Sequence, residues 1–441
     1  MSDKKKIVVV GSGISGILAG LMLVEKNDVT IIDREKTPGG LLRSYSAHGF
    51  DYDYGTHFIM ETLDPEIDAL LFDVIDDNWK ELPFLKAGHY FGGVLNSECP
   101  HIDARNLPHN IYEKGVVELL QTKIKDNCTN LKEQLDFTFG QTLTEELFKP
   151  VLKKFYNANL DDLATGSHGL ISSRIIILNA EITNFLKKNE TMDGKISYHS
   201  YKQRHSSARS FYPKKTGIGL WVNSLMKKFT SAGGTFIGGA TIKTAQVSGK
   251  KLTGITLSDE TDILFDSAVC TISPFFLMNA CGVTIPPSVK PPKMIRTVLL
   301  NLAYDKPFLT NLYFLNCFEP GFYTFRVTLY SNLRTTGKHN HLTVECLLHE
   351  EIENAHLLNK VKNELQSIGV IESDSKCVSS SIQVLDNGFP TPLLSLKQSS
   401  QTLLDEARSQ FSNVIFCGKG TGETFFLQEV IRSTYEMVKA S

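Results

Sequence analysis

One stretch, IVVVGSGISGILAGLMLVEKNDVTIID over residues 7–33, constrains this chain more than any other. The uncharged run 7–10 predicts a buried parallel strand, and 29–32 predicts a second. Between them Gly11, Gly13 and Gly16 stand at G-x-G-x-x-G spacing, and 14–24 predicts a helix. Strand, glycine turn, helix, strand and terminal acid in that order predict a dinucleotide-binding βαβ unit; the hexapeptide alone would predict only a glycine-rich turn. Gly11 permits the tight turn. Gly13 lets a pyrophosphate approach the backbone, and Gly16 lets helix and strand pack closely. The helix N-terminus, with Ile14 and Ser15, faces the phosphates. Asp33 is placed to bond a ribose hydroxyl, with Arg34 beside it.

The same stretch imitates a targeting segment. Lys4, Lys5 and Lys6 precede eighteen uncharged residues, as in a secretory signal or a short membrane span. Glycines and serines crowd its centre, however, no small-x-small cleavage site follows, and 25–28 runs straight into another strand. The expectation is neither signal peptide nor transmembrane segment. A chain of 441 residues with 41% hydrophobic content suggests about two domains. Its net charge of -2 offers nucleic acid no electrostatic footing. None of the eight cysteines forms a C-x-x-C pair, and Cys270 and Cys417 lie in apolar runs as buried thiols. A reducing, cytoplasmic setting is the simplest expectation. No G-x-S-x-G or H-E-x-x-H supports a hydrolase. His339 and His341, in TTGKHNH, read as a hairpin turn rather than a metal site.

After Asp33 the chain continues REKTPGGLLRSYSAHGFDYDYGTHFI. A G-G-x-x-R-like segment over 39–43 is followed by Phe50, Asp51, Gly55, Thr56 and His57. Later come FYPKKTGIG before a helix over 220–229, a run of short strands from 233, DSAVCTISP over 266–274, and NVIFCGKGTGETFFLQEV near the C-terminus. With these marks the chain resembles the flavin amine oxidase superfamily, which includes amine oxidases, protoporphyrinogen oxidase, phytoene desaturases and UDP-galactopyranose mutase. The resemblance implies non-covalently bound FAD, since no cysteine stands in a flavinylation motif. It implies that Gly40, Leu41 and Arg43 run past the pyrophosphate and flavin. Gly55, Thr56 and His57 would lie by the isoalloxazine, and Ile242 would contact the adenine through its backbone. Gly418, Lys419, Phe426, Leu427 and Gln428 would close the site, the last helix again pointing its N-terminus at the cofactor. Two residues depart from the pattern. Lys419 stands where relatives often carry arginine, keeping the charge without the planar fork. Gln428 is the nearest counterpart of an acid common at the mouth of the last helix.

The resemblance and the order of segments imply an α/β fold: a discontinuous Rossmann-type FAD-binding domain (1–75, 205–272 and 385–441) with an inserted α+β substrate domain (76–204 and 275–384). The spacing predicts helices over 116–125 and 143–155. IRTVLLNLAY, FYTFRVTLY and HLTVECLL predict strands of a second sheet. A small-molecule substrate would bind between the domains. Arg174 and Arg326 interrupt apolar runs, so each needs a carboxylate partner, solvent or an anionic substrate such as a nucleotide-sugar or carboxylate. Residues 139–163 resemble a segment of UDP-galactopyranose mutase, in which arginines bind the diphosphate; Tyr156-Asn157 and Phe425-Phe426 depart from the mutase pattern. The basic stretch 195–209 reads as solvated surface. The reading that follows is an FAD-dependent oxidoreductase using His57, with Arg326 and Arg174 at the substrate. A redox-neutral sugar-nucleotide mutase of cell-surface polysaccharide synthesis is the alternative, and a non-catalytic FAD-binding protein a second.

Overall fold

The computed structural model describes residues 4–204, 206–334 and 339–441. Its N-terminal strand, Lys6–Val10, is the centre of a five-stranded parallel sheet. On one side it pairs with Asp28–Asp33, which pairs with Thr235–Gly238; on the other it pairs with Ser267–Cys270, then Val414–Phe416. Alternation along the first strand explains the layers. Ile7 and Val9 face a core shared with the helices Ile14–Leu23, Gly219–Ser231 and Leu427–Lys439. Val8 and Val10 face a second core. It is built from the antiparallel strands Ile242–Ser248 and Lys251–Leu257 and the helix Leu394–Gln410. A sheet covered on both faces needs strands apolar on both sides, which the run 7–10 supplies.

The strand predictions of the inserted segments hold. Met294–Tyr304, Asn340–Leu348, Thr324–Leu329 and Phe314–Cys317 lie side by side in a seven-stranded sheet, flanked by Cys377–Pro390 at one edge and by Ala87–Phe91 and Val94–Asn96 at the other. The helix Asn354–Ile368 packs on one face. Helices of residues 109–156, with Phe325 and Leu347 from the sheet, form another core.

Several boundaries move. Residues 76–204 begin with strands, not helices: Trp79–Leu82 pairs with Ser210–Pro213, and Ala87–Phe91 joins the large sheet. Cys377–Pro390 stays in that sheet past residue 385, so the chain crosses to the Rossmann unit at 391–393. The helix expected over 116–125 is His109–Gln121, because Pro108 starts it early and Thr122 turns the chain extended. The one expected over 143–155 is present, running through a π-helical turn, Thr144–Phe148, into Lys149–Tyr156, which ends on left-handed Asn157. All eight cysteines are free; burial pushes the Cys270 and Cys417 thiols up to about 12. Within the basic stretch Lys195 is fully buried, its ammonium donating to Thr122 O and Oγ1, so that residue is not surface. His205 lies outside the described residues, as does most of the expected hairpin turn, 335–338; His341 is buried against Arg334.

Candidate functional site

The glycine turn is shaped by packing. Gly11 has φ +102°, and a Cβ there would lie 2.4 Å from Thr271 Oγ1. A Cβ on Gly16 would come within 1.8 Å of the Gly11 carbonyl oxygen, so helix and strand touch backbone to backbone. Gly13 is different. Its backbone is ordinary extended chain (φ -65°, ψ 179°), and a Cβ would meet no atom within 4 Å. Gly40 approaches the same place, its Cβ position only 3.5 Å from Gly13 Cα. Bare backbone therefore lines both sides of a cradle at the start of Ile14–Leu23, a helix without a side-chain cap. Its first N–H groups have no intrahelical partner and favour an anion. Gly418 closes the cradle: with φ +79°, it brings its backbone so near Ser15 that a Cβ would lie 2.6 Å from the hydroxyl.

Asp33 stands at the rim. One carboxylate oxygen accepts from Ser12 N at 2.6 Å and Ser12 Oγ at 2.7 Å, the other from Glu35 N at 2.8 Å. It therefore also ties the glycine turn to the second strand. Ala240 N donates to the Asp33 carbonyl, so the chain passes this rim just before Ile242 begins its strand. Arg43 is held by Gly40 O and the Glu35 carboxylate, each at 2.8 Å, and lies over the Tyr54 ring. Arg34 is largely exposed and sits 3.7 Å from Glu35. Leu41 lies in the short turn Gly40–Leu42.

His57 is half-buried, with its Nε2 fully enclosed and without a hydrogen-bond partner among the described residues. Burial pushes its imidazole down to about 4; Glu345 acts against this shift, while Arg326 and Lys419 add to it. His57 is thus neutral at neutral pH. Lys419 keeps more than a third of its surface in solvent, with its ammonium 4.1 Å from the Phe425 ring centroid and 5.9 Å from that of Phe389. Lost hydration pushes it down to about 8.

The last helix does not repeat the first. Glu429 accepts from Phe425 N and Phe426 N, the two residues before Leu427–Lys439, so this helix begins with a carboxylate cap that the first lacks. Phe426 is half exposed, Leu427 packs on the Rossmann core, and Gln428 Nε2 donates to Met60 O.

Both candidate substrate arginines have carboxylate partners. Arg326 forks onto Glu345 with Nε and Nη2 at 2.8 and 2.9 Å, and Glu345 is 2% exposed. The carboxylate also accepts from Thr56 N at 3.1 Å and Thr56 Oγ1 at 3.2 Å. Of the partners the sequence left open for Arg326, the fold supplies a carboxylate. Arg174 donates to the Asp193 carbonyl at 2.5 Å and lies 3.4 Å from its carboxylate, partners within its own helical lobe. Glu345, Ser12, Glu35, Phe389 and Phe425 were not foreseen as site residues. Glu345 carried a signal: it is the lone acid of the apolar run HLTVECLL, as Arg326 is the lone base of FYTFRVTLY.

Comparison with known proteins agrees with this fold. Residues 9–74 match the family model of an NAD(P)-binding Rossmann-like domain. The chain is 35% identical over 80 residues to hydroxyneurosporene desaturase of Rubrivivax gelatinosus, a match covering 18% of this chain and only 15% of that relative's own length. Among solved structures it is similar to reduced UDP-galactopyranose mutase, with TM-score 0.79 and 17% identity over 99% of this chain and 93% of that one. It is also similar to a protein of Exiguobacterium sp. 255-15 named as a protoporphyrinogen oxidase, with TM-score 0.70 and 15% identity over 99% and 98% of the two chains. Among the described residues no helix is long and apolar enough to cross a membrane.

Proposed function

We propose that this chain, which has the fold of the flavin amine oxidase superfamily, is an FAD-dependent oxidoreductase. One observation carries the reading: the bare-backbone cradle of Gly13 and Gly40 at an uncapped helix N-terminus, with His57 Nε2 enclosed and unpartnered. A pyrophosphate fits that cradle, and Asp33 at its rim keeps lone pairs for a ribose hydroxyl. When bound, the flavin supplies the electron acceptance, taking a hydride from substrate. The chain's own residues bind, orient and exclude water. Gly13, Gly40 and the first turn of Ile14–Leu23 would hold the phosphates. His57, neutral at physiological pH, would offer a hydrogen bond at a fixed place. Phe389 and Phe425 give the cleft apolar walls, and Lys419 adds a cation. The substrate is a small molecule bound between the Rossmann unit and the seven-stranded sheet.

The redox-neutral mutase reading rested on the likeness of residues 139–163 to a segment of UDP-galactopyranose mutase and on arginines that could hold a diphosphate. The pairing of Arg326 with Glu345 weakens the second ground and leaves the first. The test is direct. The protein should take up FAD and show the oxidised flavin absorption bands. Candidate C–H and C–N donors, added without oxygen, should bleach them. A folded protein that takes up no FAD refutes the cofactor. Turnover that needs prior reduction and consumes no oxidant refutes the redox assignment.

A further inference from the structure

The Arg326–Glu345 pair has a second set of partners, and these point away from substrate. Glu345 extends from Asn340–Leu348 and Arg326 from Thr324–Leu329, both in the seven-stranded sheet. Their shared carboxylate accepts the backbone N–H and hydroxyl of Thr56, in the turn that leads the Rossmann unit into His57. The Thr56 hydroxyl lies 2.5 Å from Thr328 Oγ1, a second link to the same sheet. Gly55 has φ +111°, and a Cβ there would stand 3.4 Å from Glu345 Oε2, so the turn is drawn tight against the carboxylate. We infer that Glu345, held by Arg326, is a positioning residue for His57: the pair clamps the 55–57 turn from the opposite domain and sets the charge that the imidazole meets.

The physical argument has two parts. A carboxylate buried alone would be costly, and Arg326 makes it tolerable by bidentate pairing. The same pairing screens the imidazole from the Glu345 charge, because each member acts on His57 with opposite sign. The charged groups that act on His57 are Glu345 and Arg326 from the large sheet and Lys419 from the turn after Val414–Phe416, and the Tyr54 backbone of its own turn hydrogen-bonds it. What the Nε2 meets in the working protein rests on the FAD reading; the clamp does not.

The test separates the two. His57 is titrated by NMR in histidine-labelled protein, its signal assigned by loss in His57→Asn, and FAD uptake is measured on the same samples. Arg326→Gln, which keeps a hydrogen bond to Glu345 and removes the cation, should raise the His57 titration point. Glu345→Gln should lower it, and the double variant should return it toward the wild-type value. Shifts of the same sign in both single variants, or none in either, would overturn the inference, since a merely structural role has no reason to reverse sign. Where a single variant fails to fold, Thr56→Val cuts the hydroxyl link alone. His57 should then react with diethylpyrocarbonate at least about fivefold faster, read by peptide mass spectrometry, and an unchanged rate overturns the clamp. Protein that titrates as expected but takes up no flavin keeps the clamp and loses the cofactor assignment.

Discussion

Gly13 and Gly16 stand three residues apart in one motif, yet substitution should affect them in opposite ways. At Gly16 an added methyl would sit 1.8 Å from the Gly11 carbonyl oxygen and 2.9 Å from its carbon. Carbon and oxygen do not approach that closely, so helix Ile14–Leu23 must move off the first strand by roughly an ångström. Overpacking of this kind costs about 1–3 kcal/mol, more where backbone is the obstacle. At Gly13 the backbone angles suit any L-residue and an added Cβ meets nothing within 4 Å. Gly13→Val should therefore change stability by only about 1 kcal/mol, the difference between glycine and an aliphatic residue at an N-cap. Its side chain would nevertheless fill the space in which the phosphates must lie. Loss of FAD affinity should exceed about a hundredfold, or about 2.8 kcal/mol. Urea unfolding of both variants, with FAD titration by fluorescence quenching, measures both axes. Gly16→Ala should fail on stability and Gly13→Val on binding. If Gly13→Val bound FAD like the wild type, the cradle would not be the pyrophosphate site. If Gly16→Ala unfolded like the wild type, the backbone contact argument would be wrong.

Asp33→Asn should weaken FAD binding by about 1.5–3 kcal/mol, as loss of a charge-assisted ribose bond implies, and should lower the melting temperature because Ser12 and Glu35 lose a charged acceptor; unchanged affinity would remove Asp33 from the site. Lys419 gives a pH dependence: above about 8 the free protein holds it neutral and must take up a proton to present a cation to the phosphates. FAD affinity should then fall as pH rises, by up to about tenfold per unit, and Lys419→Arg should flatten the profile; a flat wild-type profile would show that Lys419 does not face the phosphates. Arg326→Met should destabilise the fold by about 3–5 kcal/mol by leaving Glu345 unpaired, and Arg326→Met with Glu345→Leu should recover most of the loss in urea unfolding. If the single variant were as stable as the wild type, Glu345 would not need its partner.

The N-terminal unit was legible in the sequence because its constraints are local. A parallel strand covered on both faces requires an uninterrupted apolar run, and three glycines at fixed spacing have few other uses before a helix. The packing roles read for Gly11 and Gly16 depend on contacts within a few residues or with the adjacent strand, so spacing alone indicated them. The antiparallel strands of the insertion were legible from local pattern too: 294–304, 324–329 and 340–348 are rich in apolar and β-branched residues interrupted by single polar ones. The partners of the site were not local. Arg326 demanded a counter-charge, but nothing in FYTFRVTLY says whether a ligand or a residue nineteen positions on supplies it; that was decided when two strands paired and set Arg326 beside Glu345. The N-terminus of the last helix was decided in the same way. Its sequence fits a second phosphate site, yet in the fold its own Glu429 turns back to accept from Phe425 N and Phe426 N just before the helix. Sequence determined which backbone can approach a cofactor. Tertiary structure decided which charges remain free to meet one, because a charge inside the fold is satisfied by the nearest opposite group, and only the fold determines which group is nearest.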